Sequence, residues 1–338
     1  MLRDICFVKR GVRSTLRIVD FDALSNEMWS QVQLLDLSTG WGMTDLKDMR
    51  RAIKRGYPCA DYFGVFAVEN GEVLSTVRVS RVPYTLSNGK REVVSAIGGV
   101  VTRHDHSHQG LARRLLEEVH RREKADGRRF SLLWTGRNNV AHHLYESLGY
   151  VDIYTPELAM VKCNPKLKTP SKQYSLVKAR NKHAKTIERI HSNATKNRLG
   201  FTPRAPGLLN VLFKLGWFRP ELFHQILHDD KIIGYYLEFH KSRGWTGSSE
   251  IIVAANEKAQ EEQVIPLLER EAGNGWLILG NTFVRDNYDA LKKRGYTISS
   301  FAYTTLMALP LDGTRRSNVA RLLGVENPRF VCHRLDGF

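Results

Sequence analysis

Apolar positions in this chain alternate in some stretches and recur every three or four residues in others, and the switches mark out its elements. The run Tyr62-Phe63-Gly64-Val65-Phe66-Ala67-Val68, the turn Asn70-Gly71 and the run 73–79 predict a β-hairpin, since Asn-Gly suits a two-residue turn with both φ positive. Ahead of it come a strand over 15–19 and a helix over 23–37, with Leu24, Met28, Val32 and Leu35 on one face and Asp20 and Asp22 as N-caps. A second helix over 44–54 stops at Gly56. After the hairpin, a strand over 93–102 leads through a polar turn into a helix over 110–124, with Leu111, Leu115, Leu116 and Val119 on its apolar side. The turn Asp126-Gly127, a strand over 130–134, a helix opened by Asn138 and ended by Gly149, and one or two strands over 151–161 complete a β-α-α-β-β-β-α-β-α-β order.

Residues 164–172 read as a linker with two prolines and three lysines, dividing the chain into 1–163 and 173–338. A second cycle follows: a strand over 174–179, a helix over 184–194, a hairpin of 223–227 and 232–239 turning at Asp229-Asp230, a strand over 250–254, a helix over 260–272 and a strand over 276–279. Residues 287–296 mirror 141–150, both ending in Gly-Tyr, which points to an internal duplication. The fold class is α/β of the α+β kind: two mixed, mostly antiparallel sheets flanked by helices.

The segment from Gly98 to Leu116 concentrates the chemistry. Strand, tight turn and helix start aim several backbone N–H groups and a positive dipole end at one point, the outline of a phosphate-sized anion site. It is neither a Walker A loop nor the three-glycine dinucleotide fingerprint. A net charge of +16 on 338 residues raises the local concentration of anions, whether nucleic acid, a ribosomal surface or a phosphorylated cofactor. The basic residues form no long block, so solvated surface charge accounts for them equally well. With 42% hydrophobic residues and no apolar run of about 18, a soluble protein without a membrane span is expected. The N-terminus lacks an apolar signal core, and Cys6, Cys59, Cys163 and Cys332 show no CxxC spacing, so free thiols in a cytoplasmic setting are expected.

Two motifs make the first half resemble the GNAT superfamily of acyl-CoA-dependent N-acyltransferases. One is the strand-loop-helix 101–116; the other is Asn138-x-x-Ala141-x-x-Leu144-Tyr145-x-x-x-Gly149-Tyr150, which follows the family's helix nearly position by position. Gly110 and Ala112 fit the family loop, while Ser107 stands where the family usually has Arg or Gln. The two-part chain resembles tandem GNAT proteins. Its second copy is degenerate: residues 254–262 lack glycine, Glu257, Glu261 and Glu262 would repel phosphates, and Leu291 replaces the tyrosine.

The resemblance implies acetyl-CoA as cofactor, an amine acceptor (small molecule or peptide), and a monomer or homodimer. It implies that the amide of a residue on the Val100-Val101-Thr102 strand polarises the thioester carbonyl while the same backbone pairs with pantetheine, and that strands splay beside Trp134 to admit the pantetheine arm. The amides of His108, Gln109, Gly110, Leu111, Ala112 and Arg113 would hold the pyrophosphate, with Asn138 either on pantetheine or capping its helix. Tyr145 would donate a proton to the departing thiolate, or else be a buried aromatic. Many family members carry a glutamate near the position of Ala96; here Glu92, Asp105 and the carboxylate of Phe338 are the candidate bases, the first two otherwise solvated carboxylates. His104, His106 and His108 alternate in a way zinc accepts, but no cysteine stands nearby, and His142 and His143 read as solvated or substrate-facing; no metal is expected. The expected function is direct acetyl transfer from acetyl-CoA to a primary amine in a ternary complex. The alternative is a non-catalytic CoA-binding or RNA- or ribosome-associated module of the same fold.

Overall fold

A computed structural model describes residues 4–9, 12–38, 45–54, 62–164, 173–201, 204, 206–214, 218–242, 245–253, 258–280, 282–300 and 303–332. The first half runs β1 (Asp4–Lys9), β2 (Val12–Asp20), α1 (Asn26–Ser38), α2 (Leu46–Lys54), β3 (Tyr62–Glu69), β4 (Glu72–Thr85), β5 (Arg91–Thr102), α3 (Leu111–Ala125), β6 (Phe130–Gly136), α4 (Val140–Leu148) and β7 (Val151–Tyr154). The β3–β4 hairpin turns on Asn70 (φ 51°) and Gly71 (φ 83°), as its sequence predicts. The helix expected over 23–37 starts later. Residues 21–23 form a single 3-10 turn, and the Ser25 hydroxyl, not Asp20 or Asp22, accepts a bond from the Met28 amide at 3.1 Å. The proposed stop at Gly56, the 165–172 part of the linker, Cys59 and Phe338 lie outside the described residues.

The second half runs β8 (Leu158–Lys162), β9 (Tyr174–Lys178), α5 (Ala184–Thr195), β10 (Leu199–Gly200), α6 (Leu208–Lys214), β11 (Phe223–His228), β12 (Lys231–Ser242), β13 (Trp245–Val253), α7 (Lys258–Ala272), β14 (Trp276–Gly280), α8 (Thr282–Asp286), α9 (Tyr288–Lys293), β15 (Thr297–Ser299), β16 (Thr304–Pro310), α10 (Val319–Leu323) and β17 (Phe330–Val331). Its hairpin turns on Asp229 (φ 46°) and Asp230 (φ 60°), the same turn geometry without glycine. Both hairpins break register at the same distance from the turn, between Ala67 and Val68 in β3 and between Ile226 and Leu227 in β11. The duplication read from Gly-Tyr thus extends to a shared β-bulge.

Strand pairing corrects the domain boundary. One sheet has the order β1-β2-β3-β4-β5-β6-β16-β7, the other β15-β8-β14-β13-β12-β11-β9. Strand β8, placed by sequence in 1–163, lies between β14 and β15; β16, placed in 173–338, lies between β6 and β7. The second sheet takes β8 from the first half, and the first sheet takes β16 from the second half together with the short pair β10–β17, which joins it at Thr85 of β4. The chain passes from one sheet to the other between Tyr154 and Leu158, and the stretch 164–172 lies between β8 and β9, both strands of the second sheet; composition says nothing about pairing, which is non-local. A continuous hydrophobic core joins the halves further, packing Trp29 and Val32 of α1 and Phe66 of β3 with Ile187, Leu209 and Phe223. No helix among the described residues is long and apolar enough to cross a membrane.

Candidate active site

Strands β5 and β6 run parallel but pair only from Ser95–Ile97 to Ser131–Leu133. Beyond that rung they part, and a wedge opens beside the half-buried Trp134. The cause lies in β5. Thr76 of β4 faces Val101 while Arg78 faces Gly98, so the single residue Val77 stands against both Gly99 and Val100. Gly99 takes φ +52°, and its carbonyl accepts a bond from the Thr76 hydroxyl at 3.3 Å. The bulge bends β5 away from β6 and turns backbone toward the opening.

The loop after β5 is held from its flanks. Arg103 forks onto Asp105 (2.7 and 2.8 Å) and reaches Glu72 (2.7 Å), and His106 Nδ1 lies 3.0 Å from Asp105. These hydrogen bonds hold the Asp105 carboxyl well below its usual range, Arg103 contributing most. His108 (φ +61°) and Gly110 (φ +76°) both adopt left-handed backbone, uncommon outside glycine although histidine is among the residues that tolerate it. Arg114 is the first residue of α3 to return a helical bond, to Gly110 O at 3.1 Å. The earlier amides are therefore without intrahelical partners at the exposed Gln109–Gly110 corner. Nothing lies within 4 Å of the point where a Cβ on Gly110 would sit. The donors suit a pyrophosphate: a ring of amides, left-handed turns and the start of a helix of 15 residues. The Arg113 guanidinium is directed elsewhere, donating to Ser147 of α4 at 2.5 Å, so only its amide belongs to the corner.

Tyr145 projects from α4 into the core beneath the wedge, 5% exposed, its ring edge-on to Tyr150 at 5.8 Å. Its hydroxyl has no hydrogen-bond partner among the described residues, and burial pushes its pKa far up, so it carries its proton throughout the physiological range. Tyr150, brought round by Gly149 (φ 100°), is fully engaged: Ser131 Oγ lies at 2.6 Å and His120 Nε2 at 2.8 Å. The helix begins at Val140 with Asn139 in the cap position, not Asn138, because the chain turns once more on leaving β6. Asn138 is exposed beside the wedge. Tyr303, from the second half, covers this turn: its ring abuts Gly136 and its hydroxyl donates to Asn139 Oδ1 at 3.0 Å.

Glu92 does not belong to this constellation. It sits one residue from the start of β5, at the end opposite the wedge, where Arg129 (3.1 Å) and Lys90 (3.0 Å) hold its carboxylate. Five residues of strand, about 16 Å, separate it from Ile97. The sequence already puts it at the start of the strand, ahead of the position near Ala96, and the register puts that end away from the wedge. Of the histidines, His142 is buried with Nε2 3.0 Å from Asp152 and, with His143 and Glu146, has ligating atoms within 4.8 Å of one another; His104 is exposed.

In the second half β13 and β14 also pair in parallel, from Trp245–Ser248 to Trp276–Leu279, and also part. There the bulge is flanked by Glu250, whose buried carboxylate takes Arg204 at 2.9 and 3.0 Å and the Tyr235 hydroxyl. Leu291, at the position of Tyr145, is fully buried, and Tyr296, at that of Tyr150, bonds Glu269 at 3.1 Å. Residues 254–257, the expected counterpart of the anion corner, lie outside the described residues.

The family profile described as acetyltransferase (GNAT) domain matches residues 22–152. That stretch is a GNAT domain. Solved structures similar to the whole chain include a GCN5-related N-acetyltransferase from Kribbella flavida (16% identity, TM-score 0.60), over 88% of this chain and 72% of that one. Eis1 from Mycobacterium abscessus (16%, TM-score 0.56) is covered to 71% by 85% of this chain. A tandem GNAT protein from the clavulanic acid biosynthesis pathway (12%, TM-score 0.51) is covered completely by 89% of it. At these identities the likeness is one of fold, and the fold is a GNAT tandem. No curated protein matches the chain by sequence.

Proposed function

We propose that this chain is an acyl-CoA-dependent N-acyltransferase that moves an acetyl group to a primary amine, with its chemistry in the first half and a cytoplasmic setting suited to Cys163 and Cys332, which form no disulfide. The observation that carries the reading is the open wedge between β5 and β6, with a bulged strand on one wall and an amide-rich helix start at its mouth. Acyl-CoA bound there supplies an activated thioester carbonyl. The amides at His108 to Arg113 bind its pyrophosphate, and those of Val100 and Val101 pair with pantetheine and polarise the carbonyl. Asn138 contacts pantetheine at the mouth. Tyr145 gives its proton to the departing thiolate as the C–S bond breaks, and the proton that the amine nitrogen loses on forming the amide returns to the tyrosine oxygen. With Glu92 and Asp105 tied into ion pairs, the amine enters as the neutral species from solution. The acceptor is a small molecule or peptide amine, and the protein works as a monomer or homodimer.

The test is free-thiol release from acetyl-CoA across a panel of amines. Acceptor-dependent release is the expected result. No release with any amine, together with salt-dependent RNA binding, would instead favour a non-catalytic module of the same fold.

A further inference from the structure

Below the bulge of β5 lies a buried ion pair that no step above uses. Arg78 of β4 faces Gly98, and its guanidinium turns back under Gly99; an ideal Cβ on Gly99 would stand 2.1 Å from its Nε. Two of its nitrogens reach the two carboxylate oxygens of Asp36, near the end of α1, at 2.8 and 2.5 Å, and it also donates to the Tyr62 hydroxyl. Asp36 is 1% exposed and Arg78 8%. Planar and forked, the guanidinium is fixed from two sides, which a lysine could not be.

We infer that Arg78 is a positioning residue: clamped by Asp36, it props the Gly99–Val100 bulge from beneath and so sets where the Val100 and Val101 amides point. The inference rests on the proposed acyl-transfer reading for its catalytic consequence, though not for its structural one. Three observations converge on it. Gly99 has both a left-handed φ and no room for a side chain, so backbone and arginine are fitted to each other. The ion pair is buried, and a buried pair is a poor device for stability alone, since well-packed apolar residues of similar volume do as well or better. The second half sets a carboxylate, an arginine and a tyrosine (Glu250, Arg204 and Tyr235) at its own bulge, with the carboxylate on β13 itself. In the first half the charge sits below the strand, leaving the bulge to backbone alone.

The test uses R78K and the double variant D36L/R78M, which removes both charges together and is expected to fold. Hydrogen exchange on the ligand-free protein is expected to quicken at 98–101 in both variants relative to wild type, with the remainder of β5 unchanged. Calorimetric affinity for CoA is expected to fall by no more than about tenfold, since the pyrophosphate corner is untouched and only the pantetheine pairing at Val100 and Val101 is disturbed, while kcat falls by roughly 10²-fold in D36L/R78M, and by less in R78K. Unchanged exchange at 98–101, or wild-type kcat in a folded D36L/R78M, would overturn the inference. If wild type itself bound no acyl-CoA, the proposed function would fail while the exchange comparison still judged Arg78.

Discussion

Single side chains in this molecule are sorted by what already holds them. Glu92 and Asp105 have the chemistry of bases, but arginines occupy them; Tyr145 has a phenol with no hydrogen-bond partner among the described residues. Tyr145→Phe is therefore expected to lower kcat by roughly 10- to 100-fold with little change in acyl-CoA affinity, checked by steady-state kinetics. Unchanged turnover would remove the proton-donor role. A second residue carries a pH signature. Burial pushes His120 down to about 4, so in the native state it refuses a proton that the unfolded chain accepts below about pH 6.5. Stability is then full above about pH 6.5 and is lost as pH falls toward 4, by up to about 3 kcal/mol. His120→Gln should flatten that part of the curve, read from urea midpoints at several pH values; parallel curves for the two proteins would contradict the assignment.

At the scale of elements, the anion corner, the α4 motif and both hairpins were legible, because each is set by residues close in sequence: Gly110 before Leu111, Gly149 after Leu148, Asn70-Gly71 between β-rich runs. The bulge was half-legible. A Gly98-Gly99 pair inside a strand is a known mark of one, but which residue is doubled depends on the neighbouring strand. The left-handed His108 carried only a weak signal in its residue type, since histidine tolerates that backbone better than most residues but adopts it only where the loop imposes it. Asn138 as the helix opener missed by one residue because both Asn138 and Asn139 are good caps. The corner allows a separation of binding from folding. Gly110→Asp places a carboxylate where the pyrophosphate is proposed to sit, in open space, with a residue that tolerates left-handed backbone. Acyl-CoA affinity is expected to fall at least about tenfold while the melting temperature holds, since an acid at a helix start is favourable. Retained affinity would move the phosphate site elsewhere.

For the whole molecule, the sequence boundary and the physical one differ. Composition suggests a boundary at 164–172, but the chain changes sheet between Tyr154 and Leu158; β16 fills the edge of β6, burying Leu306, Met307 and Ala308, and Tyr303 closes the turn at the mouth of the wedge. The wedge is thus built by both halves, although its proposed chemistry belongs to one. A fragment of residues 1–163 is expected not to reach a native state alone, lacking β16 and half of the shared core, as judged by dispersed amide resonances and a cooperative melt. A folded, CoA-binding fragment would refute this. The second wedge, with Glu250 and Arg204 at its bulge and Leu291 in place of a tyrosine, is not expected to take acyl-CoA. Calorimetric titration of acetyl-CoA into the intact chain tests the account most directly. One site per chain, abolished or strongly weakened by Gly110→Asp, is the predicted result; no binding, or two equivalent sites, would contradict it.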